Sequence, residues 1–346
     1  MKCFAKKVFD GGGYRYQKNR IKSINYTYKL SKLVQYLNKK WRDKFPEFNK
    51  ILGTTIILAS LFIVGKTAYS IMISNVNGKR VLSKISVLKN NFLYQETFDK
   101  IASMLVVYDA KVKDKPLEFI RLGKDYDGGY VVPVAAMESA DALMGYGIAD
   151  DISFERDFSQ RFDKPSFGFD CGVGKIETGD SRCHFFSECI GTSDYLYRNQ
   201  KSSGRIASFS QQLQRLRLAD KKVFIKMDIE GAEFEVMDDI LKHSQNITGM
   251  VLEIHIPNGN PEKVSKSLSS INRHFTLVHL HGNNSSDSFF KTKYSTHPVP
   301  YLLELSYVNN NLVNFSEVSK NQKHPRSVDQ RDCTNLPEYE FEVIPN

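Results

Sequence analysis

The chain has 346 residues, 41% of them hydrophobic and 25% charged, a composition that excludes low-complexity, collagen-like and disordered classes. Its net charge of +9 is confined to one end, because residues 1–50 hold 14 Lys/Arg against 3 Asp/Glu and the remainder holds 34 against 36. The body therefore lacks the basic face of a nucleic-acid-binding domain, and no nucleic-acid partner is expected.

Residues 1–50 read as a basic cytosolic arm. Basic and aromatic residues alternate in "YRYQKNRIKSINYTYKLSKLVQYLNKKW", which suits an anionic membrane leaflet. Residues 51–73, "ILGTTIILASLFIVGKTAYSIMI", form the run able to cross a bilayer. At 1.5 Å per residue they span about 35 Å, against a hydrocarbon core of about 30 Å. Lys66, near the far end, reaches the headgroups on its long stem. A buried core helix or a late signal-peptide core are the alternatives. Only four Lys/Arg follow between Ser74 and Lys89. The positive-inside rule then predicts a single-pass anchor with a cytosolic N terminus and a lumenal (Golgi or ER) or extracytoplasmic body. Sequons at Asn246, Asn283, Asn284 and Asn314 agree with that side.

Residues 74–115 are expected to be a stalk or helical cover, with a helix over 80–110 carried by Val81, Ile85, Leu88 and Phe92. The body is assigned to 116–317. Apolar runs at 142–147, 166–170, 184–191, 222–228, 249–255, 275–281 and 301–308 predict strands. Helical spacing falls at Ser153–Phe162, Ile206–Leu218 and Glu233–His243. This alternation calls for an α/β, Rossmann-like doubly wound sheet, mostly parallel. The last two runs are joined by a polar loop and predict an antiparallel edge strand. Residues 318–346 read as a polar tail, an extended wrap that Cys333 pins. Without a CxxC pair, the cysteines exclude a zinc ribbon. Cys171, Cys183, Cys189 and Cys333 allow two disulfides in an oxidising compartment, or four buried thiols.

In such sheets ligands sit beyond the carboxyl ends of the strands, and here those ends are the polar ones. Gly145 and Gly147 follow the first strand and let backbone amides approach a ligand; Ser153 is a candidate N-cap for the helix that follows. Asp170 ends the next strand, where a carboxylate accepts the hydroxyls of a ribose. Asp150 and Asp151 would repel a pyrophosphate, so a cationic, phosphate-free nucleoside cofactor is expected; S-adenosyl-L-methionine fits. In "KMDIEGAEFEVM", Asp228, Glu230 and Glu233 crowd one strand-to-helix junction. His255 ends the fifth strand and "HLHGNN" (His279, His281, Asn283, Asn284) the sixth. These histidines are read as rim residues, and no metal is assigned.

The stretch "RLGKDYDGGYVVP…LMGYGIADDISFERDF…FGFDCGVG…FFSECIG…IKMDIEGAEFEVM…LEIH…LVHLHGNN" resembles the FkbM-type methyltransferase family, in its membrane-anchored methyltransferase-like branch. "GYGIADD" stands where that family carries "DxGANxG". The resemblance implies a class I methyltransferase fold, S-adenosyl-L-methionine as donor and O-methylation of a hydroxyl on a glycan, lipid or small molecule. On that reading Gly145, Gly147, Asp150, Asp151, Asp170 and Asp228 hold the cofactor. Asp228 orients the transferring group, and Glu230 or His255 takes the proton. Asp127 of "DYDGGYVV", Glu233 and the "HLHGNN" residues line the substrate rim. Two rivals stay open: a type II membrane glycosyltransferase using Asp228 and Glu230 as a metal-binding pair, and an inactive binding module of the same fold.

Overall fold

Seven short apolar segments pair into one sheet: β1 (Ala142–Tyr146), β2 (Ser166–Phe169), β3 (Cys183–Phe186), β4 (Val223–Met227), β5 (Ile247–His255), β6 (Phe275–Gly282) and β7 (Leu302–Asn309). Their spatial order is β3-β2-β1-β4-β5-β7-β6. Strands β1 to β5 pair in parallel, while β7 runs antiparallel to both neighbours. All five residues of β1 and of β4 are buried, as required of central strands covered on both faces.

The computed structural model describes residues 93–191, 205–256, 260–286 and 288–345. The expected arm (1–50), the membrane helix (51–73) and the first part of the 74–115 segment lie outside them. Among the described residues no helix is long and apolar enough to cross a membrane.

The helices are α1 (Gln95–Ser103), α2 (Val134–Ser139), α3 (Ser153–Phe162), α4 (Phe209–Arg215), α5 (Glu233–Leu241) and α6 (Pro261–Ile271). Alternation along the strands sorts them into two layers. Met144 and Ile225 face a core with Phe98, Leu213, Ile240 and Leu268, from α1, α4, α5 and α6. Leu143 and Phe224 face the opposite core with Met137, Phe154 and Phe158, from α2 and α3. This is an α/β Rossmann-like fold.

Several local expectations are corrected. The reversed strand is not at the edge: β7 is inserted between β5 and β6, and β6 forms the edge. Of the helix expected over 80–110, the described part is only Gln95–Ser103, because Tyr108–Val112 alternates in burial and pairs with Phe315–Val318. The run 184–191 divides, its second half Glu188–Ile190 pairing in parallel with Arg205–Ala207. The following helix starts only at Phe209, where Ser208 and Gln211 form a capping box. Helix α6 was not foreseen. Its signal was Asn260, whose side chain accepts from Lys263 N, followed by Pro261 at the first turn.

One disulfide joins Cys171 to Cys189, and Cys183 and Cys333 are free and buried. The final segment packs into the body, with Gln322 bonded to both backbone groups of Val107 and with Phe341 and Val343 in the core. Asn283 and Asn284, expected as glycan acceptors, are 3% and 8% exposed, so their amides are closed to a glycan in the folded chain.

Candidate functional site

Strand order reverses between β1 and β4, the point at which such sheets take ligands. A cavity of about 250 Å³ occupies it, lined among others by Gly147, Asp170, Asp228 and Glu230. The Cys171–Cys189 bridge forms part of the wall.

Gly147 is obligatory at this spot. Its φ is +74°, and a Cβ there would lie 1.5 Å from the carbonyl oxygen of Asp228. The β1 and β4 loops can therefore touch backbone to backbone, and Asp228 N donates to Tyr146 O at 3.0 Å. Asp170 holds the neighbouring loop. Its Oδ2 accepts from Ala149 N at 2.8 Å and its Oδ1 from Gly172 N at 2.7 Å. A carboxylate offers about four acceptor positions, so capacity for a ligand remains.

Asp228 is the hinge between this cavity and a buried charge cluster. Tyr130 Oη donates to its Oδ2 at 3.1 Å, and its Oδ1 is buried with no hydrogen-bond partner. Burial pushes the Asp228 carboxyl above its usual range, aided by Glu230 and opposed by Lys226, His255 and Tyr130. Lys226, buried in β4, donates to Gly147 O at 2.8 Å and lies over the Tyr130 ring.

His255 Nδ1 lies 3.2 Å from Glu233 Oε1, while its Nε2 faces Glu230 Oε2 at 3.4 Å, Glu253 Oε1 at 3.5 Å and Asp228 Oδ1 at 4.0 Å. Burial alone would lower the pKa of this imidazole, but the Glu233, Asp228 and Glu230 carboxylates raise it above its ordinary value. These neighbours favour the protonated form of His255. Burial, with Asp228 and Glu304 beside it, pushes the Glu253 carboxyl well above its usual range.

The remaining expected site residues fall elsewhere. Gly145 does not line the cavity. Its missing Cβ makes room for the Glu155 carboxyl, which would lie 2.0 Å away. Asp150 is exposed and outside the lining. Asp151 is engaged by Ser153 N (3.0 Å) and Lys124 Nζ (3.1 Å), and the N-cap position of α3 falls on Ile152, not Ser153. Glu233 is no open rim residue: it is fully buried, and its Oε1 accepts from Ile229 N and Gly231 N, fixing the turn after β4. Asp127 is half-buried and its charge is felt at Tyr130 and Glu253.

"HLHGNN" holds the C-terminal segment instead of an open rim. His279 Nε2 lies 3.0 Å from Asp329 Oδ1, and Asn284 bonds Cys333 N, Cys333 O, Leu336 O and Pro337 O. Asn283 Oδ1 accepts from Ser285, closing a turn. Tyr130, Lys226 and Glu253 were missed by sequence reasoning. A tyrosine directly after the "DGG" turn was the available signal for the first; the others are polar letters inside apolar runs.

Among the described residues, two His–carboxylate groups have ligand atoms within 4.8 Å of one another: Asp228 with Glu253 and His255, and His281 with Glu304 and Asp332.

No family model and no curated protein matches the chain. Solved structures similar to it include a protein assigned to riboflavin biosynthesis from Shewanella, 14% identical with a TM-score of 0.21, covering 51% of this chain and 78% of that one. Another is a precorrin-6y C5,15-methyltransferase from Geobacter metallireducens, 12% identical with a TM-score of 0.24, covering 54% of this chain and 85% of that one. Overlap this slight carries no argument about activity.

Proposed function

We propose that this chain is an S-adenosyl-L-methionine-dependent methyltransferase acting on a hydroxyl group. The observation that carries the reading is the convergence of Gly147, Asp170 and Asp228 on one cavity at the carboxyl ends of β1, β2 and β4. The inserted reversed strand β7 is also what the class I methyltransferase fold, implied by the sequence resemblance, would have.

The donor set fits the cofactor. Asp170, Asp228 and Glu230 bring three carboxylates to the lining of one cavity, which suits a cation without phosphates. When bound, S-adenosyl-L-methionine would supply an electrophilic methyl on a positive sulfur. Asp170 would accept the ribose hydroxyls, already oriented by Ala149 N and Gly172 N. Asp228 would orient the acceptor hydroxyl and receive its proton on Oδ1 as the oxygen–methyl bond forms and the sulfur–methyl bond breaks. This places the base on Asp228 in place of Glu230 or His255, since the carboxylates around His255 favour its protonated form. His255 instead balances the charge of Asp228, Glu230 and Glu233. Holding acceptor, methyl and sulfur in line supplies most of the rate, and no covalent intermediate on the protein is needed. The membrane anchor and the lumenal body remain part of the proposal, and a disulfide at the cavity wall supports an oxidising side.

Titration calorimetry on the full-length protein in detergent tests the reading. Stoichiometric heat with S-adenosyl-L-methionine that disappears in Asp170→Ala is expected. Silence with the methyl donor, together with heat from a sugar nucleotide plus manganese, would overturn it in favour of glycosyl transfer.

A further inference from the structure

The second histidine of "HLHGNN" sits in a cluster that the proposed methyl transfer does not use. His281 and Glu304 are register partners on β6 and β7, with His281 Nδ1 3.3 Å from Glu304 Oε2. Asp332, from the C-terminal segment, brings its Oδ2 to 3.9 Å from the same nitrogen. All three side chains are 7% exposed or less. Asp332 Oδ2 accepts no hydrogen bond, although it is buried and aimed at the cluster. Two carboxyls packed against one imidazole bring several acceptor atoms together away from water, and a cation among them would coordinate them.

We propose that His281, Glu304 and Asp332 bind one zinc-like divalent cation that clips the C-terminal segment to the β6–β7 pair. None of the three lines the cavity, so the inference stands independently of methyl transfer. Ligands about 2.1 Å from a tetrahedral ion lie about 3.4 Å from one another. The 3.3 and 3.9 Å separations are close to that spacing, and all three ligand atoms lie within 4.8 Å of one another. The other imidazole nitrogen has the orienting partner such a ligand needs: His281 Nε2 lies 3.4 Å from Glu338 Oε1. An imidazole with two carboxylates suits zinc better than magnesium or calcium, which prefer all-oxygen shells. The consequence is structural. Two ligands come from rigid neighbouring strands and the third from a segment with little regular structure, so the ion would fasten 329–338 where Asn284 already holds it.

The test is metal content by mass spectrometry of the full-length protein, grown with added zinc, with thermal unfolding before and after chelation. One zinc per chain is expected, falling below a tenth in Asp332→Asn and Glu304→Gln. Chelation of the unaltered protein should lower its melting temperature by about 5–10 °C, reversed by zinc alone. Should the two variants fail to fold, that reversible chelation shift still decides the matter. Zinc that survives in Asp332→Asn but is lost in His255→Gln would assign the ion to the other cluster and overturn the proposal. So would a zinc-free protein in which Asp332→Asn is as stable as the unaltered chain, since the two carboxyls would then share a proton.

Discussion

Tyr130 reaches across the fold to donate its hydroxyl to Asp228 Oδ2 at 3.1 Å, from 98 positions upstream. The turn "DGG" delivers this tyrosine, and the bond leaves Oδ1 buried without a hydrogen-bond partner, 4.0 Å from His255 Nε2. Asp228→Asn should therefore lower kcat by about 10²–10⁴-fold, as removal of a proton acceptor does, and weaken donor binding as well, because it removes a carboxylate that faces the cation. Tyr130→Phe should lower kcat less, and little further in the Asp228→Asn background. The burial that raises the Asp228 carboxyl gives the pH profile its sign: activity falls as acid protonates it, at a pH above the ordinary aspartate range. Steady-state kinetics on the two single variants and the double variant read all three. Additive losses would show that the residues act separately.

Gly147→Ala tests the contact between the β1 and β4 loops. The new Cβ meets backbone, the Asp228 carbonyl at 1.5 Å, and the +74° φ disfavours any side chain. A loss of about 2–4 kcal/mol is expected by urea unfolding, with donor binding weakened at least tenfold. Gly174→Ala is the control, because its Cβ meets nothing within 4 Å; a change within about 0.5 kcal/mol is expected there. Equal behaviour of the two would remove the steric argument.

The parts of this fold visible in the sequence are those with a period. Strands such as Val223–Met227 and the helix Ser153–Phe162 appear where apolar spacing placed them, because burial on a sheet face or helix stripe writes itself into the letters. Sheet order does not: β7 is as apolar as an edge or a central strand, and only its pairing with β5 shows that it is inserted. Asp170 and Asp228 were legible since each ends a strand. Lys226 and Glu253 were not, as one polar letter inside "KVFIKMD" or "GMVLEIH" says nothing of its partners. The role of "HLHGNN" was misread for the same reason. Its partners Asp329 and Cys333 lie in a polar stretch without periodicity, where spacing carries no contact information.

The Cys171–Cys189 bridge closes a loop of 18-residue separation at the cavity wall. Constraint of the unfolded chain by a loop of that length is worth about 3 kcal/mol. Cys171→Ser/Cys189→Ser, or reduction of the unaltered protein, should lower the melting temperature by about 6–12 °C. Both cysteines line the cavity, so donor affinity should fall as well. Scanning calorimetry with and without reductant checks the first point and titration the second. An unchanged melting temperature would mean that the bridge does not constrain the fold.

Glu155 gives the stability of the body a pH dependence. It lies in the first turn of α3 with 1% exposure, its carboxyl over Gly145 and its Oε1 without a partner. Burial raises its pKa from 4.5 to about 7, against the opposing pull of Lys226. A carboxyl whose folded pKa is raised binds its proton more tightly in the folded chain. The stability this confers is complete below 4.5 and is lost as the pH climbs through about 7. Glu155→Gln keeps the shape and removes the titration. The variant should lack the decline between pH 4.5 and 7 and be more stable than the unaltered protein at pH 8, by about 2–3 kcal/mol. Urea unfolding at pH 5, 6, 7 and 8 checks this, and parallel profiles for the two proteins would show that Glu155 is ionised and compensated throughout, with Lys226 as its effective partner.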